Sequence, residues 1–228
     1  MRTVVIAGAT GGLGYEIVKK HLAFGDKVLG VDRAKSERLF DENYKEFQVD
    51  VSDTQDVKAV CNALMGEIEK IDLLYYTIAA PQTEDTEEID KFDIDYALDI
   101  YNINVLGALR LIQNLLPVLN RSSKVCLVTS KNGSMHETRT FMQYGVKQML
   151  AYNMSKAALN MAGLILHEKF SDKGIGFLLI HPGSMKTKMS NFMGKNEPSV
   201  SAEGIVTIML KENEEKIFLS YTGDEIEW

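Results

Sequence analysis

Cysteine is nearly absent from this chain, since Cys61 and Cys126 are the only two and both lie inside apolar segments. Their spacing matches neither a zinc site nor a redox Cys-x-x-Cys pair, so the sequence predicts two buried free thiols. The 4 histidines also lack the spacing of metal ligands, and no metal is expected.

Long apolar runs and an excess of basic charge are missing as well. No segment approaches the roughly 20 apolar residues of a membrane span, and no basic leader precedes the strand-like segment Arg2–Ala7. We therefore expect a cytoplasmic protein that has no membrane partner. With 25 Lys and Arg against 32 Asp and Glu, the net charge is −7. An acidic surface repels phosphate backbones, which disfavours nucleic acid as the main partner.

Proline is scarce too, with 4 residues, and no repeat, low-complexity tract or Pro/Gly-rich linker divides the chain. Hydrophobic residues make up 45% and charged residues 25%, which is the balance of an ordinary globular protein. A single domain over residues 1–228 is the expectation.

Short apolar segments alternate with longer segments of helical periodicity. Several of the short segments carry Val, Ile and Leu on both faces, as parallel strands covered by helices on each side require. The alternation predicts a Rossmann-type, doubly wound α/β fold with a parallel sheet of about seven strands and helices on both faces. Long helices are expected from about Tyr96 to Leu119 and from about Leu150 to Phe170. The predicted strands are Thr3–Ala7, Lys27–Val31, Phe47–Val49, Leu73–Thr77, Val125–Thr129, Gly176–Ile180 and Lys216–Ser220.

A glycine cluster, Gly8-Ala9-Thr10-Gly11-Gly12-Leu13-Gly14, lies where the first predicted strand meets the first helix. Glycines permit a tight turn and let the backbone approach a pyrophosphate, while the helix N-terminus offers N–H groups and partial positive charge. The turn predicts a dinucleotide site. A methyltransferase uses a similar turn for S-adenosylmethionine and is the rival interpretation at this point.

Two side chains at the end of the second predicted strand bear on the choice of cofactor. The carboxylate of Asp32 could bind the adenosine ribose hydroxyls of either a dinucleotide or S-adenosylmethionine. Because a carboxylate repels a 2′-phosphate, Asp32 favours NAD(H) over NADP(H). The guanidinium of Arg33 could accept that phosphate, which keeps NADP(H) as the alternative.

Tyr152 and Lys156 are four residues apart and would share one face of a helix. The free tyrosine pKa of ~10 makes it a poor acid or base at neutral pH, and a neighbouring ammonium lowers that pKa. The pair predicts a tyrosine that transfers protons. A Tyr-x-x-x-Lys spacing also arises by chance on solvated helices, so its position behind the glycine turn carries the prediction.

With these motifs in this order, the sequence resembles the short-chain dehydrogenase/reductase family over nearly its whole length. Asp50-Val51 is similar to the family's adenine-contacting segment, and Asn104 to its helix asparagine that supports a water relay to the lysine. Ser130 resembles the serine of S-x-x-G after the fifth strand. Pro182-Gly183 with Thr187 resembles the P-G-x-x-x-T element that holds the nicotinamide carboxamide.

The resemblance implies an oxidoreductase that exchanges hydride between a nicotinamide and a small carbonyl or alcohol. It implies that Ser130 polarises the substrate oxygen, Tyr152 is the acid/base, Lys156 lowers its pKa and binds the nicotinamide ribose, and Asn104 supports the proton path. The implied cofactor contacts are Gly8, Thr10, Gly11, Gly12, Leu13, Gly14, Asp32, Arg33, Asp50, Val51, Ala79, Tyr152, Lys156, Pro182, Gly183, Met185 and Thr187.

Plain structural roles remain open for three of these residues. Ser130 could cap a turn, Asn104 could be an exposed polar residue, and Thr187 could cap a short helix. A module that binds NAD(P) without turnover and an epimerase or dehydratase of the same fold are the alternative functions. The resemblance also implies a homodimer or homotetramer that pairs through the two long helices.

Three features depart from the family pattern. Ala7 replaces the leading threonine of the glycine turn, and Thr77-Ile78-Ala79-Ala80 replaces Asn-Asn-Ala-Gly. The segment between Ser130 and Tyr152 is longer than usual, which predicts a loop that lines the substrate pocket or docks a second subunit. Residues 184–200 correspond to the family's substrate-covering segment and are expected to form a mobile lid.

Overall fold

The computed structural model describes residues 1–36, 39, 41–80, 86–211 and 216–228. Its strands are β1 (Thr3–Ala7), β2 (Lys27–Asp32), β3 (Tyr44–Gln48), β4 (Ile71–Tyr76), β5 (Leu119–Val128), β6 (Gly176–His181) and β7 (Phe218–Ser220). All of them belong to one parallel sheet with the order β3-β2-β1-β4-β5-β6-β7. The chain leaves β1 toward β2 on one side and returns to β4 on the other, which opens a crevice at the carboxyl ends of β1 and β4.

Helices cover both faces of the sheet. They are α1 (Gly12–Ala23), α2 (Thr54–Met65), α3 (Ile94–Tyr101), α4 (Gly107–Leu115), α5 (Met135–Gln143), α6 (Leu150–Ser171) and α7 (Pro198–Leu210). Side chains of β1 alternate between two cores, because successive residues of a strand point to opposite faces. Val5 and Ala7 pack with α2, α4 and α6, whereas Val4 and Ile6 pack with α1 and α7. The predicted doubly wound α/β fold is confirmed.

The boundaries of some elements differ from the sequence-based prediction. β3 begins at Tyr44 rather than Phe47, β5 begins at Leu119, and β7 is confined to Phe218–Ser220. Cys61 and Cys126 are buried and free, as predicted, and burial raises the pKa of the Cys61 thiol to about 12.

The helix expected from Tyr96 to Leu119 is interrupted. Between α3 and α4 lies a wide π-helical turn, Asn102–Leu106, and a short 3-10 turn, Leu116–Val118, leads into β5. A π-helical turn contains more residues than an α-helical turn and is frequent at functional sites. On its two sides α3 contacts α6 and α4 contacts α2.

The segment between Ser130 and Tyr152 contains a helix, α5, and is not only the loop that was expected. Ser134 caps this helix, because its side chain accepts a hydrogen bond from the Glu137 N–H at 3.0 Å. Gly145, with φ 71°, follows its end. The tail also braces the start of α5, since the Ser134 hydroxyl donates to the Glu227 carbonyl at 2.6 Å.

A buried polar network lies at the amino end of the sheet. His21 is completely buried, with Nδ1 at 2.9 Å from an Asp26 carboxylate oxygen and Nε2 at 2.9 Å from the Tyr75 hydroxyl. The Arg2 guanidinium pairs with Asp26 at 3.0 Å. Burial lowers the pKa of His21 against the opposing effect of Asp26. Burial also opposes ionisation of Asp26, but hydrogen bonds from Arg2 and His21 outweigh it and lower the pKa of that carboxyl.

In the described ranges, none of the helices is long and apolar enough to cross a membrane. The same part of the chain holds no cluster of three or more His, Cys, Asp or Glu side chains arranged to bind a metal ion.

Candidate active site

The glycine turn joins β1 to α1 through two positions that only glycine can occupy. Gly8 has φ +91°, and a Cβ there would lie 2.3 Å from Thr77 Oγ1. A Cβ on Gly14 would lie 2.0 Å from the Gly8 carbonyl oxygen. The first turn of α1 therefore packs directly on the strand-to-helix turn, and its N–H groups point toward the crevice. Thr77, which stands where the family has asparagine, donates to the Ala7 carbonyl at 2.8 Å and ties β4 to β1.

A cavity of about 420 Å³ begins at this turn and extends along the carboxyl ends of the strands. The cavity brings together most of the residues that the sequence predicted. Those that line it are Gly8, Thr10, Gly11, Gly12, Leu13, Gly14, Asp32, Ala79, Ser130, Tyr152, Lys156, Pro182, Gly183, Met185 and Thr187.

Four predicted residues do not line this cavity. Arg33 is exposed beyond its rim, and Val51 is buried in the core against α2 and α4. Asp50 accepts hydrogen bonds from the N–H and hydroxyl of Ser52, which lower the pKa of its carboxyl. Asn104 is fully buried behind the cavity wall.

Asp32 holds the glycine turn as well as marking the end of β2. One oxygen of its carboxylate accepts from the Thr10 N–H at 3.0 Å and from the Thr10 hydroxyl at 2.8 Å. The other accepts from the Arg33 N–H at 2.7 Å. The carboxylate is therefore fixed at the cavity rim by neutral donors, and no cation among the described residues pairs with it.

Lys156 and Tyr152 lie together on one face of α6 and line the cavity. Lys156 is 2% exposed, its Nζ donates to the Val128 carbonyl at 3.0 Å, and Nζ lies 5.7 Å from the centre of the Tyr152 ring. Burial lowers the pKa of this lysine to about 8. A buried ammonium this close to a phenol favours the ionised form of that phenol.

Ser130 follows the end of β5 at the same cavity. It is nearly buried, and its hydroxyl oxygen accepts a hydrogen bond from the Asn132 N–H at 3.1 Å. The side chain thus caps the 3-10 turn Lys131–Gly133, as the plain alternative predicted, while also lining the cavity beside Tyr152.

Asn104 lies in the π-helical turn and links two elements of the site. Its Oδ1 accepts from the Ala80 N–H at 2.7 Å, and its Nδ2 donates to the Ser155 hydroxyl at 2.9 Å. Ser155 in turn donates to the carbonyl of Tyr152 at 2.7 Å. The exposed polar residue that was the alternative for Asn104 is excluded, because the side chain is buried and bonded on both sides.

Nine lining residues were not named individually as site residues from the sequence, although the four between Ser184 and Ser190 belong to the segment 184–200 that was expected to cover the substrate. Of the nine, His181 stands out, because burial, reinforced by the nearby Lys131 charge, lowers the pKa of its ring to about 4. Its Nδ1 is buried and has no hydrogen-bond partner among the described residues. The position of His181 directly before Pro182-Gly183 was the available signal. The others are Thr77, Ile78, Val128, Thr129, Ser184, Lys188, Met189 and Ser190.

Residues 184–197 form a flap over one side of the cavity, and the last three residues of the predicted segment begin α7. The base of the flap is closed by hydrogen bonds from the Lys186 N–H to the Asn196 carbonyl at 2.8 Å and from the Asn196 N–H to the Ser184 carbonyl at 2.9 Å. The tip holds the 3-10 turn Lys188–Ser190 and the exposed side chains of Phe192 and Met193. Because the base is held by these hydrogen bonds, we expect the tip to be the part of the segment that moves. The predicted mobile lid stays a prediction.

Comparison with known proteins agrees with the family resemblance that the sequence motifs indicated. The sequence profile of the short chain dehydrogenase family matches residues 2–198. The chain is 30% identical over 216 residues to 1-hydroxy-2-glutathionyl-2-methyl-3-butene dehydrogenase of Rhodococcus sp. (strain AD45), covering 90% of this chain and 89% of the relative.

Solved structures of similar fold are more distant in sequence. An NADPH-bound carbonyl reductase from chicken fatty liver is 24% identical with a TM-score of 0.85, covering 100% of this chain and 99% of its own. A Burkholderia multivorans protein crystallised with bound NADP is 22% identical with a TM-score of 0.88 and the same coverage.

Proposed function

The chain belongs to the short-chain dehydrogenase/reductase family of oxidoreductases, and we propose that it transfers hydride between a nicotinamide dinucleotide and a small carbonyl or alcohol. The observation that carries the proposal is the buried Lys156 ammonium beside Tyr152, in the same cavity as the glycine turn. A phosphate-binding turn and a proton-transfer pair in one cavity suit a reaction that moves a hydride and a proton together.

The residues present fit such a cofactor. The cavity runs from the N-terminus of α1, which suits phosphates, to Ser130 and Tyr152, and Gly11 offers no side chain that would block it. Thr10, Gly12 and Leu13 would hold the pyrophosphate, and Pro182 and Thr187 would hold the nicotinamide end. When bound, the cofactor supplies or accepts the hydride at the substrate carbon.

Tyr152 would move the proton. In reduction its hydroxyl donates a proton to the substrate oxygen, and in oxidation its phenolate removes one. The Lys156 ammonium stabilises the phenolate, and desolvation strengthens this attraction because the charge is shielded little by water. The Lys156 Nζ bond to the Val128 carbonyl aims the ammonium at this position.

Ser130 and Asn104 would support this chemistry in different ways. The Ser130 hydroxyl accepts from Asn132, so its own proton is available for donation to a substrate oxygen that gains negative charge. Asn104 braces α6 through Ser155 directly behind Tyr152. Asn104 therefore positions the tyrosine. Its second proposed role, support of a proton path to Lys156, would depend on its place directly behind the cavity wall.

Selection between NAD(H) and NADP(H) is the finer part of the proposal. The two structural relatives named above carry NADP or NADPH, which weighs against the sequence-based preference for NAD(H). Both are below 25% identical, so the residues of this chain carry more weight. The Asp32 carboxylate, fixed at the rim by Thr10 and Arg33, would repel a 2′-phosphate, and this supports NAD(H).

Titration with NADH and NADPH, followed by nicotinamide fluorescence, tests both parts. Tighter binding of NADH supports selection by the Asp32 carboxylate. Tighter binding of NADPH would show instead that Arg33 determines the choice of cofactor. A screen of small aldehydes, ketones and alcohols, with the Tyr152→Phe variant as control, then tests the reaction. Cofactor binding with no turnover of any substrate would favour a module that binds the dinucleotide without chemistry.

We also propose that two copies pair through α3 and α6. Exposed apolar side chains line both helices, and α3 contacts α6. The spacing of these residues forms one stripe along each helix, which an unpartnered surface seldom carries. The residues are Ile94, Leu98, Met154, Met161 and Ile165. Sedimentation should show a dimer or tetramer that Met161→Glu weakens, and a monomer at micromolar concentration would contradict the pairing.

A further inference from the structure

Asn160 lies one turn beyond Lys156 on α6, on the face that also carries Tyr152. Its side chain is 2% exposed, and Oδ1 accepts a hydrogen bond from the Thr129 hydroxyl at 2.5 Å. Thr129 is equally buried and directly precedes Ser130. One buried hydrogen bond therefore joins the helix of the proton-transfer pair to the strand end that carries the serine.

The turn after Ser130 rests on α6 at a second point. A Cβ on Gly133 would lie 2.6 Å from the Lys156 carbonyl carbon and 2.8 Å from Asn160 Nδ2. The Gly133 N–H donates to the Ser130 carbonyl at 3.0 Å, so the turn is closed on itself as well. Both ends of the segment Thr129–Gly133 are thus held against the same stretch of α6.

Stability alone does not explain an asparagine at position 160. Its Nδ2 is buried and has no hydrogen-bond partner in the part of the chain that the structure describes. A buried donor without a partner costs free energy, and an apolar side chain of similar volume would avoid that cost. Residues that break such a local rule tend to occur at functional sites.

We propose that Thr129 and Asn160 form a clasp that sets the position of the Ser130 hydroxyl relative to Tyr152. Neither residue is assigned a step with the substrate, so both are positioning residues. The clasp acts because Thr129 directly precedes Ser130 in the chain, and Asn160 shares a rigid helix with Tyr152 and Lys156. This inference rests on the proposed function, in which Ser130 and Tyr152 hold the same substrate oxygen.

Thr129→Val keeps the shape of the side chain and removes the donor, and Thr129→Ser keeps the donor. For Thr129→Val we expect kcat to fall about 10- to 100-fold, since a small misplacement of catalytic groups has effects of this size. The dissociation constant of NADH should change less than twofold, and KM should change little, because the misplaced Ser130 hydroxyl loses an interaction that forms in the transition state. Thr129→Ser should recover kcat to within about threefold of the wild type.

Controls separate positioning from general destabilisation. Ser201→Ala removes a fully buried hydroxyl on α7, one that has no hydrogen-bond partner within the described ranges, and should leave kcat unchanged. Gly133→Ala presses on the Lys156 carbonyl and on the Asn160 amide, so it disturbs the turn and the clasp together and should also lower kcat while NADH binding persists. If Thr129→Val does not fold, the comparison of Gly133→Ala with Thr129→Ser carries the test.

Hydrogen exchange provides a readout that does not depend on turnover. Peptides covering residues 129–134 should exchange at least tenfold faster in Thr129→Val than in the wild type or Thr129→Ser. Unchanged exchange there would overturn the clasp, as would an unchanged kcat or a loss that Thr129→Ser fails to restore. A wild-type protein that turns over no carbonyl or alcohol would instead overturn the proposed function, whatever the exchange shows.

Discussion

The ammonium nitrogen of Lys156 lies 5.7 Å from the centre of the Tyr152 ring, in a region that water scarcely reaches. Burial works against this charge and lowers the pKa of the lysine to about 8 from its usual value of 10.5. The same burial strengthens the attraction between the ammonium and a phenolate. The pair therefore holds a costly charge at the place where the proposed chemistry needs it.

The pH dependence of carbonyl reduction should follow from this lysine. Below about pH 8 Lys156 is charged, and above it the ammonium is lost and can no longer stabilise the Tyr152 phenolate. We expect kcat for reduction to fall as the pH rises through about 8. A pH–rate profile at saturating cofactor checks this, and a flat profile up to pH 10 would contradict it.

Lys156→Met should abolish turnover and stabilise the fold. Burial lowers the pKa of this lysine in the native state to about 8, against 10.5 in the unfolded chain. Below pH 8 the buried charge therefore destabilises the native state fully, and this destabilisation decreases as the pH rises from 8 toward 10.5. At pH 7 the methionine should raise the free energy of unfolding by about 1–3 kcal/mol, after allowance for the lost hydrogen bond to Val128. Urea denaturation at pH 7 measures the free energy of unfolding. A variant less stable than the wild type would show that burying the Lys156 charge destabilises the fold little.

Gly14→Ala should destroy cofactor binding. Its Cβ would lie 2.0 Å from the Gly8 carbonyl oxygen and 2.7 Å from the Gly8 carbonyl carbon, so the turn and α1 must separate. We expect NADH binding to weaken at least 100-fold, with a loss of stability of about 2 kcal/mol or more. Gly176→Ala, where the nearest atom would be 3.7 Å away, is the matched control and should bind NADH normally.

Asp32→Asn should shift cofactor selection toward NADP(H). The substitution removes the charge that repels a 2′-phosphate and keeps an oxygen that can accept from Thr10. We expect the ratio of the NADPH to the NADH dissociation constant to fall at least tenfold, as fluorescence titration would show. Arg33→Ala should move the ratio the other way, and equal ratios in all three proteins would place selection elsewhere.

Acid should destabilise the fold from about pH 6.5 downward. His21 is buried with a lowered pKa, so the unfolded chain binds its proton first, and stability is lost as the pH falls below 6.5. Asp26, whose pKa is also lowered, adds to the loss at pH values below 3.8. Thermal denaturation from pH 8 to pH 4 should show a falling Tm that His21→Gln flattens.

His181 contributes to this acid sensitivity in the same direction, because burial lowers its pKa to about 4. The His21 substitution should therefore remove only part of the slope. A profile that is identical in His21→Gln and the wild type would show that the buried network does not govern the acid response.

Periodicity and glycine spacing predicted the fold and much of the site. Both depend on residues that are close together in the chain and can therefore be recognised in the sequence. Examples are the β1 segment, which is apolar on both faces, and the Gly8–Gly14 turn. Arg33 and Asp50 were expected at the cavity because of their place after β2 and β3. Both lie outside it: the Asp50 carboxylate accepts hydrogen bonds from Ser52 within a short turn, and the Arg33 side chain is exposed.

The rest depended on packing between segments far apart in the chain. The helix α5 starts where the tail residue Glu227 meets Ser134, and nothing near position 134 indicates that contact. The clasp between Thr129 and Asn160 joins residues of ordinary type, which become notable only once both are buried. The buried Nδ1 of His181, which has no hydrogen-bond partner among the described residues, likewise becomes visible only in the folded chain.

The π-helical turn Asn102–Leu106 also constrains the length of the chain. Each residue of an α-helix advances the side-chain direction by roughly 100°, so one additional residue in a turn reorients everything after it. This is how α3 can face α6 while α4, which follows it in one uninterrupted helical segment, faces α2. Deleting a single residue here would rotate Leu111 and Ile112 out of the core, even if every remaining side chain were ideal. At this point the number of residues is as specific as their identity.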